Sequence, residues 1–263
     1  MDNLRLKVIN QNGDLIDSSY GTDEVHLVIK KNYEEGDKVI LESDCINTYL
    51  YVQVDDALGP AFVYITNNKI EYEIPFNEKR TSISPKAFYG ELHYLYARVA
   101  TKEEIDSYKN LALNVMDSHG DTGCYPHASA NVETRGEAVF AARNAIDGVR
   151  ENRSHGGWPY ASWGINRRDD ATMRVSFGRK VVADKIKLYT RADFPHDNWW
   201  IKVTVTFSDG TSIDWDLEKS YEAHVLTFEP KTIEWVELSD LIKADDPSPF
   251  PALTQIEVYG KEA

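Results

Sequence analysis

Apolar and polar residues alternate with a period of two along most of this chain, which is the pattern of β-strands with one wet face. Ile70, Tyr72 and Ile74 alternate with Lys69, Glu71 and Glu73, and Ile201, Val203, Val205 and Phe207 alternate with Lys202, Thr204 and Thr206. The same reading predicts strands over Val25 to Ile29, Lys38 to Leu41, Thr48 to Val54, Ala61 to Ile65, Leu92 to Val99, Met173 to Phe177, Lys185 to Tyr189, Ile213 to Leu217, Ile233 to Leu238 and Gln255 to Tyr259. Turn residues separate many of them, among them Glu35-Gly36-Asp37, Leu58-Gly59-Pro60, Asn67-Asn68 and a hairpin at Ser208-Asp209-Gly210. Short strands at this spacing predict sandwiches rather than a parallel sheet. The helical period is rare. Thr101 with Glu104 forms a capping box that starts one helix, and the alanines of Glu137 to Asn144 predict a second.

From Asn114 to Thr134 the sequence turns polar and irregular, which places a boundary between residues 1–113 and 114–263. The chain has 263 residues, 42% of them hydrophobic, enough for two domains with a core each. The predicted class is all-β: two β-sandwich domains with a few short helices. A net charge of -14 argues against nucleic acid and anionic membrane surfaces as partners and favours a neutral or cationic one. No apolar run approaches the roughly 18 to 20 residues that cross a bilayer, so membrane insertion is not expected. Met1 to Asp14 lacks a signal-peptide pattern, which predicts a cytoplasmic protein, or an extracellular one had a leader been removed. Cys45 and Cys124 form neither a disulfide framework nor a thiolate metal site.

Aromatic residues divide unevenly. All six Trp lie between Trp158 and Trp235, whereas ten of the fifteen Tyr precede residue 114. Trp215 and Trp235 fall at strand spacing and read as core. Trp158, Trp163, Trp199 and Trp200 instead sit among Gly, Pro, His, Asn, Arg and Asp, in the stretches His155 to Gly164 and Arg191 to Trp200. Loops that combine flat aromatic faces with charged hydrogen-bonding groups suit an amphipathic sugar ring. The candidate ligand-binding residues are therefore Trp158, Trp163, Arg191, His196, Asp197, Trp199 and Trp200. In the alternative reading the Trp side chains plug the end of a sandwich and Arg191 clasps Asp193 or Asp197.

A family resemblance rests on five pieces in order. They are Asn144-Ala145-Ile146-Asp147-Gly148, a Trp-containing loop, Phe177-Gly178-Arg179 followed by Val181, Ala183 and Ile186, then Thr206-Phe207-Ser208-Asp209-Gly210, and Ile256-Glu257-Val258-Tyr259-Gly260. Over roughly residues 128–260 this order resembles the coagulation-factor type C, or discoidin, domain, whose fold is shared by family-32 carbohydrate-binding modules. The resemblance implies a galactose-binding-like jelly roll with ligand loops at one end. It also implies a structural calcium ion, with Asp147 as a carboxylate ligand and Gln255 standing where many relatives have Glu; in the alternative reading Asp147 only caps the Ile146-Asp147-Gly148 turn.

Enzyme motifs are absent: there is no Gly-x-Ser-x-Gly elbow, phosphate loop, dinucleotide fingerprint or His-Glu-x-x-His. The best catalytic set would be Asp193, His196 and Asp197 with His119 or His127. In the first half, Asp55 and Asp56 are adjacent and read as solvated loop charge rather than an acid/base pair. The expectation is a non-catalytic protein that binds a carbohydrate or glycoconjugate. The alternative is a protein–protein or homo-oligomer contact through the same Trp-rich loops, with a carbohydrate-active enzyme as the third reading.

Overall fold

The computed structural model describes residues 2–120, 122–192 and 197–263. Its first half runs through β1 (Asn3–Ile9), β2 (Leu15–Thr22), β3 (Glu24–Ile29), β4 (Lys38–Ser43), β5 (Thr48–Gln53), β6 (Ala61–Ile65), β7 (Lys69–Glu73), β8 (His93–Val99), helix α1 (Lys102–Asp106) and β9 (Lys109–Asn110). The second half contains β10 (Cys124–Tyr125), β11 (His127–Ala130), β12 (Trp163–Gly164), β13 (Met173–Thr190), β14 (Trp200–Phe207), β15 (Ser212–Asp216), β16 (His224–Lys243) and β17 (Ala252–Glu262). Strand pairing is antiparallel throughout these elements. Helices are few and short, as the alternation implies.

In the first sandwich a four-stranded sheet, β2-β1-β4-β7, covers a five-stranded sheet, β10-β6-β5-β8-β3. Leu4, Leu6 and Val8 of β1 and Val39 and Leu41 of β4 share one core with Val25 and Leu27 of β3, Leu50 and Val52 of β5 and Leu95 of β8. Each such aliphatic side chain contributes about 1.5–3 kcal/mol on burial. β1 alternates as cleanly as the predicted strands, yet it and β2 were not among them. β2 is an edge strand with no fully buried position. Asp55 corrects the solvated reading. It is buried, its carboxylate accepts the Ala57 and Phe88 amide protons, each at 2.9 Å, and it lies 3.4 Å from His93 Nδ1. A turn and a core histidine claim that charge, not water.

The capping box of α1 forms as expected: Thr101 Oγ1 accepts the Glu104 amide proton and Glu104 accepts that of Thr101. The Arg98 guanidinium also grips Glu104 and holds its carboxyl down at about 2. The second predicted helix is two 3₁₀ turns, Ala138–Phe140 and Ala142–Ile146, separated by extended Ala141. The Asn144 side chain explains the break, because its amide donates to the carbonyls of Ala138 and Ser162 and ties the segment to a neighbouring loop.

In the second sandwich one eight-stranded sheet wraps a single core, in the order β12-β17-β13-β16-β14-β15 with β11 on β13 and β9 on β17. Two predicted strands, Met173 to Phe177 and Lys185 to Tyr189, are one bent strand. Its register shifts between Ser176 and Val181, where Gly178 has φ +68°, and again between Ala183 and Lys185. The Ser208–Gly210 hairpin joins β14 to β15 with Thr206 opposite Ser212.

The cores interlock across residue 113. Leu111 and Ala112 belong to the second core, and Asn110 pairs with Tyr259. The chain then returns, so that Met116 and Cys124 complete the first core and Cys124 pairs with Ile65. Among the described residues no helix is long and apolar enough to cross a membrane.

Candidate functional site

The loop end of the second sandwich is where the two Trp-bearing stretches were expected to meet, and the structure divides them. Trp163 and Trp200 correct the expectation: both are fully buried in the core, with ring centroids 6.3 Å apart. Trp163 donates its indole N–H to the Val132 carbonyl. A β-bulge accounts for Trp200. The register of β14 on β16 slips between Trp200 and Lys202, which turns Trp200 inward and leaves Ile201 45% exposed.

Trp158 remains exposed, its amide donating to the Thr81 carbonyl of the first half. Trp199 is half-buried under the Lys219 ammonium, 4.6 Å from the ring centroid. His196 lies outside the described residues, as does Asp193. Of the remaining histidines in the catalytic set, His119 pairs with Glu133 and His127 with Asp117.

Arg191 and Asp197 do come together, as a buried pair with Nε 3.3 Å from the carboxylate. Arg191 Nη1 donates to the Tyr160 carbonyl at 2.8 Å. Burial pulls this guanidinium below its ordinary range, against the opposing pull of Asp197. Among the described residues its third donor nitrogen, Nη2, has no hydrogen-bond partner, nor does the buried hydroxyl of Ser162. Both residues line one cleft of about 140 Å³ with Phe140, Arg167 and Phe250. That is below the size of pockets enclosing drug-sized ligands, and suits the edge of a single ring.

Side-chain hydrogen bonds to the backbone shape this cleft. Asn198, fully buried, donates its amide to the carbonyls of Ala244 and Ser248 and so sets the approach to Phe250. Asn144 holds the Ala138 and Ser162 carbonyls, and Thr134 Oγ1 accepts the Asn166 amide proton. Asn198, Phe140 and Phe250 were missed in the sequence. Asn198 follows Asp197 directly, but Phe140 and Phe250 lie far from either Trp-rich stretch.

A larger cavity, about 920 Å³, lies along β11 beside Trp235. Trp235 was expected in the core and is instead half-exposed, with the Arg174 guanidinium 4.0 Å from its ring centroid. The cations around that groove are engaged: Arg179 with Glu262, His119 with Glu133 and Arg174 with Glu237. It offers more volume and fewer directed donors than the cleft at Arg191.

At the residues implied for calcium, Gln255 is fully buried and its Oε1 accepts the Gly148 amide proton at 3.1 Å. Asp147 Oδ1 accepts that of Val149, and burial pushes the carboxyl up to about 7. The pair carries one negative charge with an amide oxygen already engaged, which does not fit a tight oxygen shell. Among the described residues no group of three or more His, Cys, Asp or Glu could hold a metal ion.

No family model and no curated protein matches this sequence. Similar solved structures include chitosan-binding module 1 of a chitosanase/glucanase from Paenibacillus sp. IK-5, at 21% identity and a TM-score of 0.41, covering 59% of this chain and all of that one. The lectin-binding domain of lectinolysin complexed with Lewis b is 19% identical with a TM-score of 0.42, covering 60% of this chain and 99% of that one. The family-32 module of C. perfringens NanJ in complex with galactose is 20% identical with a TM-score of 0.37, covering 50% and 91% respectively.

Proposed function

We propose that the cleft at Arg191 binds a sugar without transforming it. The observation that carries this reading is the Arg191 guanidinium: buried, held by Asp197 and Tyr160, and left among the described residues with its Nη2 unused at a cleft lined by Phe140 and Phe250. An unpaired buried donor costs about 1–3 kcal/mol, which a ligand hydroxyl or carboxylate can return. Phe250, 42% exposed, supplies an apolar face for the C–H side of a ring, and Ser162 a second polar contact. The Arg191–Asp197 pair orients the donor and keeps its own charge neutral, which serves recognition rather than proton transfer.

Titration calorimetry with monosaccharides tests this. Phe250→Ala is expected to weaken binding about tenfold with the melting temperature unchanged, because the ring is exposed and stacking contributes about 0.5–1.5 kcal/mol. Equal affinity in the variant would move the sugar elsewhere.

A further inference from the structure

Resting on the reading of this cleft as a sugar site, we infer that it selects an acidic sugar, one whose ring bears a carboxylate. The chain as a whole is strongly acidic, at -14, yet the cleft is lined by three guanidinium groups, those of Arg135, Arg167 and Arg191. Among the described lining residues Asp197 is the only carboxylate, and Arg191 already engages it.

Arg135 is held at the cleft by two hydrogen bonds that its guanidinium donates to the Glu137 carboxylate, which also answers its charge. Arg167 makes no ion pair among the described residues. Its guanidinium lies over one face of the Phe250 ring, 4.6 Å from the centroid, so the aromatic ring at the cleft carries a positive charge that no described carboxylate pairs. The backbone is strained to put it there. Asn166 and Arg167 have φ of +49° and +61°, a left-handed conformation that costs non-glycine residues about 1 kcal/mol each. Such cost persists where surrounding contacts hold it, here the Asn166 amide on Thr134 and the Arg167–Phe250 stack.

A neutral sugar would use the Phe250 face and the free Arg191 donor, but would leave Arg167 without a counter-charge. A ring carboxylate answers both guanidinium groups through charge-assisted hydrogen bonds, the geometry in which arginine exceeds lysine. The local charge therefore reverses the preference that the net charge of the chain suggests.

Galactose and galacturonate share ring stereochemistry and differ at C6, where one has a hydroxymethyl group and the other a carboxylate. Calorimetry is run with both on the full chain, on Arg167→Gln and on Arg167→Lys, at low and at physiological salt. The expected result is that galacturonate binds wild type roughly tenfold more tightly than galactose. That gap should close in Arg167→Gln, survive in reduced form in Arg167→Lys, and narrow as salt rises. Galactose binding as tightly as galacturonate, with Phe250→Ala weakening both, would leave the sugar site standing and overturn its selectivity for acids. A gap that persists in Arg167→Gln would overturn the assignment to Arg167. No binding of either sugar to wild type would overturn the sugar reading and this inference together.

Discussion

Replacing Asp197 with alanine is expected to destabilise the protein by about 3–5 kcal/mol, the cost of removing one partner from a buried ion pair. Arg191 is 1% exposed and Asp197 6%, so water cannot take the place of the lost carboxylate. Burial already disfavours the Arg191 charge, and Asp197 offsets it most, with a smaller pull from Glu151. For a chain of this size the loss corresponds to a fall in melting temperature on the order of 10 °C. The double variant Arg191→Met, Asp197→Leu should recover much of that stability, because it leaves no uncompensated charge. Urea denaturation of wild type and both variants gives the comparison. A single-variant cost below about 0.5 kcal/mol would show that the pair does not hold the loop.

Asp147 carries the second large effect, and its sign is opposite to that of a salt-bridged carboxylate. Its folded-state value is raised from 3.8 to about 7, chiefly by burial. Below the unfolded value both states are protonated and nothing is lost. As pH rises towards 7 the unfolded chain releases a proton that the folded chain retains, so stability falls across that window and stays low above it. The loss is about 2–4 kcal/mol. Asp147→Asn keeps an oxygen for the Val149 amide and cannot ionise, so the variant should be the more stable protein at pH 8 and match wild type near pH 4. Calcium at pH 8 should move the wild-type melting temperature by less than about 1 °C, given the single charge of the Asp147–Gln255 set. A calcium-dependent rise of several degrees, absent in the variant, would instead identify Asp147 as a cation ligand.

Strand periodicity placed most of the fold because each strand buries one face, and side chains such as Ile70, Tyr72 and Val203 obey that constraint locally. It misplaced residues wherever the backbone changes register. A single bulge exchanges Trp200 and Ile201, and no property of either side chain announces it. Trp163 shows a related limit: flanked by Ser162 and Gly164 it looks like a loop residue, but two-residue β12 lies on β17 and turns the ring inward. Asp55 looked solvated because its partners, Phe88 and His93, are more than thirty residues away. Arg191 and Asp197 were found because they belong to one short stretch. Phe140, Ser162, Arg167 and Phe250 come from three other segments, and only the folded chain brings them to one cleft.

The crossing of the chain between the two cores also sets an order of events during synthesis. Chains emerge from the ribosome N-terminus first and domains tend to fold as they appear. Here the five-stranded sheet lacks its edge strand β10, and the first core lacks Met116 and Cys124, until the segment beyond residue 113 has been made. That same segment follows Leu111 and Ala112, whose core is built from strands reaching to Val258. The first sandwich therefore closes only after translation has entered the second, and residues 109–112 wait, unburied, for β17.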